Sequence, residues 1–391
     1  MFADTLRNKG VEIVYFDDLL HDVFEQRHVK ETFLQEFLIE SKPPIGAPVE
    51  DLIQYFLSLS TEDFVKKMIE GVPKDEIAPE KKINKYEMMT DKDPFYLDPM
   101  PSLYFTRDIA AVVGEGLMIC NMYEKARTRE TLLFQYAANY HQELYRPGIK
   151  RWFERSTKAS FEGGDIFVFD EETLLVSVSE RTSISAIQHF AKSIFSTENS
   201  FNNIIVIEIP KKRQFVHLDT VFAMIDYDKF LVHPELFNEK RSVNLQVFKR
   251  KIEGGYTVEK FNNLKETLQK FLKIDEILMI SCGQGDVIDA PREQWNGAIN
   301  LLVISPGVVI AYDRNYVTNQ LMRENGIKVI EVPSSELSRG RGGPRCMSMP
   351  IIREQPTSER EPKNPRCLAP GIFWNSLVYL RGIRFLLSIS T

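Results

Sequence analysis

The chain has 391 residues, 43% of them hydrophobic and 27% charged. That is the composition of an ordinary soluble globular protein with room for one large domain or two. A formal net charge of −6 argues against a nucleic-acid-binding surface, and no apolar run is long enough to span a membrane. Four widely spaced cysteines (Cys120, Cys282, Cys346, Cys367) make no zinc or redox spacing and point to a reducing, cytoplasmic setting.

In chain order, "FADTLRNKGVEIVYF" reads as the end of a helix, a glycine stop and a strand over Val11–Phe16. From about Leu20 to Lys92 the pattern is helical. "HDVFEQRHVKETFLQEFLIE" places apolar residues at helical spacing, and "PVEDLIQYFLSLS" and "TEDFVKKMIEGV" predict two more helices, with Pro48 at a start and Thr61 as an N-cap. This stretch carries no chemistry. From Tyr104 onward a β-β-α-β order recurs. "IAAVVGEGLMICNMYEKARTRETLLFQYAANYH" gives a hairpin and a helix, "DIFVFDEETLLVSVSERTSISAIQHFAKSIF" another, with the strand "NNIIVIEIP" after it. A looser copy starts at "VFAMIDYDKFLVHPEL" and runs through a predicted helix "VEKFNNLKETLQKFL" to "EILMIS"; "NLLVISPGVVIAYDRNYVTNQLMRENGIKVIEV" is the last. Such repeats predict modules around a common centre rather than a Rossmann sheet, and the lone "GQG" at 283–285 lacks the remaining glycine of a dinucleotide site.

The chemistry-bearing residues stand at module starts and ends: "FTRD" (105–108), "EGGD" (162–165), "HLD" (217–219) and "GGPRC" (342–346). His217 and Asp219, two residues apart on a predicted strand, would face the same way. The glycines of "EGGD" permit close backbone approach or positive φ at a tight corner bearing Glu162 and Asp165. Each motif alone has a structural reading: a solvent-facing strand, a β-turn, a small buried cysteine. Together, four acids, a histidine and Cys346 make a Cys-His-acid site with surplus carboxylate. An amide hydrolase needs no such surplus, whereas a planar guanidinium can donate paired hydrogen bonds to each of two carboxylates. Arg127, Arg181 and Arg341 would suit an α-carboxylate at the substrate's other end. "RGRGG" at 339–343 is single and not a repeated RNA-binding box.

The motifs "DPMPSLYFTRD", "RTRETL", "FEGGDIF", "SERT", "HLDTVFAMIDYDKF", "PGVVIAYDRN" and "RGRGGPRCMSMP" together resemble the arginine deiminases, over about residues 1 to 354. The resemblance implies a five-bladed α/β propeller of ββαβ modules with a helical domain inserted in the first. Its ranges here would be 1–19 for a remnant of the first module, 20–92 for the insert and 93–354 for the remaining modules. The implied reaction converts L-arginine and water to L-citrulline and ammonia with no metal or organic cofactor. On this resemblance Cys346 is the nucleophile, His217 the general acid and base, Asp108 and Asp219 the guanidinium ligands, and Glu162 the support of the histidine. Arg127, Arg181 and Arg341 take the amino-acid end, Phe105 lines the pocket, and Asp165 and Ser102 join the substrate-binding set. The implied partner is a small molecule, with no nucleic acid or membrane and with room for a homo-oligomer.

Three departures from the family pattern set further expectations. Ser102 stands where the family usually has asparagine, which predicts weaker substrate binding. The family's opening segment is absent, so the first module is expected to be truncated and to expose strand edges. Residues 355–391 match nothing in the family and read as an unrelated extension that invites adsorption or misfolding. The alternatives are a truncated, inactive product, or an amidinotransferase or dimethylarginine hydrolase of the same superfamily; the helical insert and "RGRGGPRCMSMP" favour the deiminase.

Overall fold

The computed structural model describes residues 2–44, 47–77, 94–145, 148–237, 242–352 and 384–387. The expected extension over 355–391 therefore lies outside the described residues except at 384–387. Two compact units divide the chain. The larger comprises the described residues of Met1–Val14, Phe105–Tyr123 and Ile149–Leu387, and the smaller those of Tyr15–Tyr104 and Glu124–Gly148.

The larger unit is mixed α/β and repeats one strand order. Ala110–Val113 pairs antiparallel with Gly116–Ile119, which pairs parallel with Lys150–Phe153. Ile166–Val168, Thr173–Val178 and Asn203–Glu208 follow the same rule, as do Phe222–Met224, Lys229–Val232 and Leu278–Ser281. Leu302–Ser305, Val308–Tyr312 and Lys328–Val332 make the fourth set. In the fifth, Met349–Ile352 pairs antiparallel with Arg384–Leu387, and Glu12–Tyr15, which follows the helix Phe2–Arg7, lies on the other side of that strand. Both ends of the described chain thus build one sheet.

The second sheet shows why these sequences become strands. Successive side chains of a strand point to opposite faces. Leu174, Val176, Ile204 and Val206 enter one core with Phe190 and Ile194 of the helix Ile184–Phe195, whereas Leu175, Ile205 and Ile207 enter another with Phe222 and Phe230. With both faces buried, the strands read as unbroken apolar runs. The helix begins where the Ser183 hydroxyl accepts a hydrogen bond from Ala186 N, an N-cap worth about 1 kcal/mol.

Two local expectations are corrected. Residues 258–261 lie in the strand Tyr256–Phe261 and not in a helix, because six register pairs with Leu245–Arg250 outweigh a short helical pattern. The helix starts later, at Leu264, where Asn263 accepts from Glu266 N. In the smaller unit Ser60, not Thr61, caps the helix Thr61–Glu70, with its hydroxyl accepting from Asp63 N at 3.1 Å.

The smaller unit is helical at its core. Phe24, Phe33, Phe37, Phe56 and Phe64 are buried together with Tyr136, and the Phe24 and Phe33 rings lie 4.6 Å apart. The Phe24–Phe64, Phe33–Tyr136 and Phe56–Phe64 pairs meet edge to face, and such contacts add to the burial of the rings themselves.

In the larger unit, the first strands of all five sheets contribute to one cavity, through Ala111, Phe167, Met224, Leu302 and Pro350, with Phe385 beside them. The Arg384–Leu387 strand therefore packs at the heart of this unit: Phe385 and Leu386 are buried, and the Leu386 carbonyl accepts a hydrogen bond from Thr106 Oγ1 at 2.9 Å. Leu386→Ala is expected to cost about 2–5 kcal/mol, the range for emptying a buried leucine site. Urea denaturation checks this, and a cost near zero would mean that this strand does not hold the sheet together.

Candidate active site

Four short turns of the larger unit carry the polar side chains. The first, Thr106–Ile109, brings Asp108 to the start of the strand Ala110–Val113. The second is the 3₁₀ turn Gly163–Asp165, entered through Glu162. Neither of its glycines needs positive φ; each is required for close approach. A Cβ on Gly163 would lie 2.1 Å from the Arg107 carbonyl oxygen, and one on Gly164 2.6 Å from the His217 ring. The third turn corrects the sequence reading of "HLD". His217 is extended, but Leu218–Thr220 is a 3₁₀ turn and not a strand, so the turn, not strand alternation, sets where His217 and Asp219 point.

The fourth segment, 339–348, carries Cys346. Arg341 adopts a left-handed φ of 67°, and Gly342 and Gly343 then pass against Phe105 and Asn300 with no room for a side chain. Asn300 holds the loop: its Oδ1 accepts from Gly343 N at 2.9 Å and Cys346 N at 3.1 Å, and its Nδ2 donates to the Asp219 carbonyl at 3.3 Å.

The side chains converge in a buried cluster. Cys346 Sγ lies 3.6 Å from Asp219 Oδ2. His217 Nε2 lies 2.7 Å from Glu162 Oε2, and its Nδ1 lies 3.8 Å from Asp108 Oδ1. Glu162 Oε1 accepts from Tyr123 N at 2.9 Å, so both of its oxygens are engaged. Asp219 Oδ1 is buried with no hydrogen-bond partner among the described residues. Phe105 is buried against Gly342.

Electrostatics follow from this crowding. Burial alone would depress the His217 imidazole, but Asp108, Glu162 and Asp165 outweigh it and push it up to about 10. The ring is then protonated at neutral pH; its Nε2 donates to Glu162, and its Nδ1 faces Asp108 at ion-pair distance. Asp108, Glu162 and His217 present ligand atoms within 4.8 Å of one another. Burial, Asp219 and Asp108 push the Cys346 thiol well above its ordinary range, while Arg345 and Asn300 pull the other way.

Some expected residues stand elsewhere. Asp165 was expected among the substrate ligands, but its Oδ1 accepts from Ser177 Oγ and from Leu218 N at 2.9 Å, and its Oδ2 from Ser179 Oγ at 2.6 Å. It anchors the His217 turn from behind. Arg181 lies over the Tyr123 ring and Arg341, which is exposed, over Trp295. Arg127 and Ser102 belong to the smaller unit. There Arg127 pairs with Glu130 at 2.8 Å and donates to the Ser102 carbonyl at 3.2 Å. Sequence reasoning missed Asn300 and Arg345; an asparagine just before an apolar strand was the only available signal for the first.

The arginine deiminase family model matches residues 1–353. The chain belongs to that family. It is 48% identical over 354 residues to the arginine deiminase of Bacillus thuringiensis subsp. konkukian (strain 97-27), covering 90% of this chain and 86% of the relative. It is 46% identical over 355 residues to that of Staphylococcus haemolyticus (strain JCSC1435), with the same coverage of 90% and 86%. Likeness to solved structures is weaker. AgrE in complex with ornithine and NAD+ gives a TM-score of 0.47 at 16% identity, over 70% of this chain and 34% of AgrE. The citrulline complex of DDAH from Pseudomonas aeruginosa gives 0.44 at 17% identity, over 73% and 94% of the two chains.

Two outcomes are expected from the charges in this family member. The folded His217 titrates near 10 against about 6.5 unfolded, so its charge interactions stabilise the fold fully below pH about 6.5 and fade as pH rises through about 10. Glu162→Gln should lower the His217 midpoint, read by NMR titration of the ring; an unmoved midpoint would contradict the assigned pairing. Separately, at pH 7.5 iodoacetamide should modify Cys346 more slowly than free cysteine. Asp108→Asn should speed that reaction, because it removes one of the carboxylates that hold the thiol protonated. Peptide mass spectrometry follows the rate, and a slower variant would reverse the sign of the Asp108 effect.

Proposed function

We propose that this site hydrolyses L-arginine to L-citrulline and ammonia through a covalent adduct on Cys346. The observation that carries the reading is the union, in one buried cluster, of a thiol, an imidazole pushed up to about 10 and a carboxylate oxygen, Asp219 Oδ1, with no partner of its own. A cationic, planar guanidinium suits that arrangement, since it donates paired hydrogen bonds to carboxylates and offsets their charge.

Asp108 and Asp219 are assigned to the guanidinium. Its positive charge offsets the carboxylates that hold the thiol protonated, so substrate binding favours the thiolate. The thiolate attacks the guanidinium carbon and gives a tetrahedral adduct. His217 transfers a proton to the departing nitrogen, which leaves as ammonia and breaks the C–N bond. An S-alkylthiouronium remains on Cys346. The neutral imidazole then takes a proton from water as that water adds to the same carbon; the C–S bond breaks, the proton of the new hydroxyl passes to the departing sulfur, and citrulline and the Cys346 thiol are released. Glu162 orients the imidazole from behind, and Asp165 holds the turn that carries it.

Arg181 and Arg341 are proposed for the amino-acid end of the substrate, and Phe105 for the pocket wall. We also read the five three-stranded repeats as blades of an α/β propeller; their shared contribution to one cavity supports this. A cytoplasmic setting is part of the proposal, supported by free thiols at Cys120, Cys282 and Cys346. Among the described residues no helix is long and apolar enough to cross a membrane.

Purified chain incubated with L-arginine should form citrulline, and Cys346→Ser should abolish it. His217→Asn should lose about 10²–10⁴-fold in kcat, the usual worth of general acid–base help. Citrulline formation unaffected by Cys346→Ser would refute the covalent route. A folded, soluble sample that makes no citrulline would leave the inactive-product reading in its place.

A further inference from the structure

Arg345 plays no part in the chemistry above, yet its side chain is closely held. It is 8% exposed, and its guanidinium is fixed on three sides. Nη1 donates to Asp219 Oδ2 at 2.6 Å, Nη2 donates to the Ile166 carbonyl at 2.8 Å, and the plane lies over the Phe167 ring at 4.0 Å. Nη1 also lies 3.5 Å from the Gly164 carbonyl. The backbone of the same residue is tied in turn: Arg345 N donates to the Asn300 carbonyl at 3.2 Å, and its own carbonyl lies 3.4 Å from Arg107 Nε.

A carboxylate on a single Cβ–Cγ bond is free to rotate, and its two oxygens exchange when it does. Here one oxygen, Oδ2, is taken by a fixed guanidinium and faces Cys346 Sγ, while Oδ1 stays buried without a partner. A planar fork held by two carbonyl-side contacts and a ring gives direction as well as charge, which a lysine ammonium does not.

We propose that Arg345 is a positioning residue for the deiminase reaction: it pins the Asp219 carboxylate through Oδ2 so that Oδ1 is held ready for the substrate guanidinium. The inference rests on the deiminase reading, and it distinguishes two like groups by their place. The protein's own guanidinium occupies Oδ2 permanently, and the substrate's takes Oδ1 transiently. The cost of burying the Asp219 charge is thereby met before substrate arrives, and Arg345 sits next to the nucleophile in sequence, so the loop that delivers Cys346 also sets the acid that receives the substrate.

The test uses binding, so that a failed deiminase reading shows itself separately. Calorimetric titration of the full-length Cys346→Ser protein with L-arginine comes first; absence of binding there would defeat the deiminase reading itself. In that background Arg345→Lys is expected to weaken L-arginine affinity by about tenfold or more while retaining the far-ultraviolet spectrum of the parent. Added to Asp219→Asn, the same change should cost less than about threefold, because its effect passes through the Asp219 carboxylate. A purely structural role would give equal losses in both backgrounds, and that result, or an unchanged affinity in Arg345→Lys, would overturn the proposal. If Arg345→Lys does not fold, Phe167→Leu replaces it: this removes the ring beneath the guanidinium and leaves its hydrogen bonds. Its loss of affinity must likewise shrink in the Asp219→Asn background, and equal losses would again overturn the assignment.

Discussion

Buried negative charge is the constraint that organises this molecule. Asp108, Glu162, Asp165 and Asp219 are each at most 3% exposed in a single region. Removing a carboxylate from water costs several kcal/mol unless partners replace the lost hydration. The fold supplies those partners individually: Tyr123 N for Glu162, two serine hydroxyls and Leu218 N for Asp165, and the Arg345 guanidinium for Asp219. His217 stays protonated among them because three acids outweigh its burial. Asp219 Oδ1 is left buried with no hydrogen-bond partner among the described residues.

The sheets exist to bring those partners together. Each polar turn leads into the first strand of a sheet or, for Cys346, lies just before one, and those first strands line a common cavity. The strands are buried on both faces, so their positions are set by packing and tolerate little shift. The fifth sheet joins the first residues of the chain to residues 384–387, and its middle strand receives a hydrogen bond from Thr106, two residues before Asp108. Residues that looked like an appendage thus contribute a buried strand close to the reacting groups.

Much of the site was legible because its residues cluster in short motifs. "EGGD", "HLD" and "GGPRC" combine glycine with charge where an apolar run begins or ends, and such positions seldom bear buried acids without purpose. Asn300 and Arg345 were not legible. Arg345 and Asp219 are 126 positions apart in the chain, and neither periodicity nor spacing hints that they meet. Asp165 shows the converse: its motif marked it as functional, but only its contacts reveal that both of its oxygens are engaged within the protein. The strand Tyr256–Phe261 was hidden for a related reason, since pairing with Leu245–Arg250 is a long-range reward that local propensity does not record.

The sequence by itself determined the modular α/β plan, the helical stretch, and the residue types of a Cys-His-acid site, because hydrophobic periodicity and glycine-bearing motifs are local properties of a chain. Only the tertiary structure decided which oxygen of Asp219 is occupied, that His217 stands between Glu162 and Asp108, and that Arg384–Leu387 completes a sheet begun by Glu12–Tyr15. Those facts depend on distances between segments far apart in the chain, and such distances are fixed only when burial forces every charge and every strand edge to find its partner.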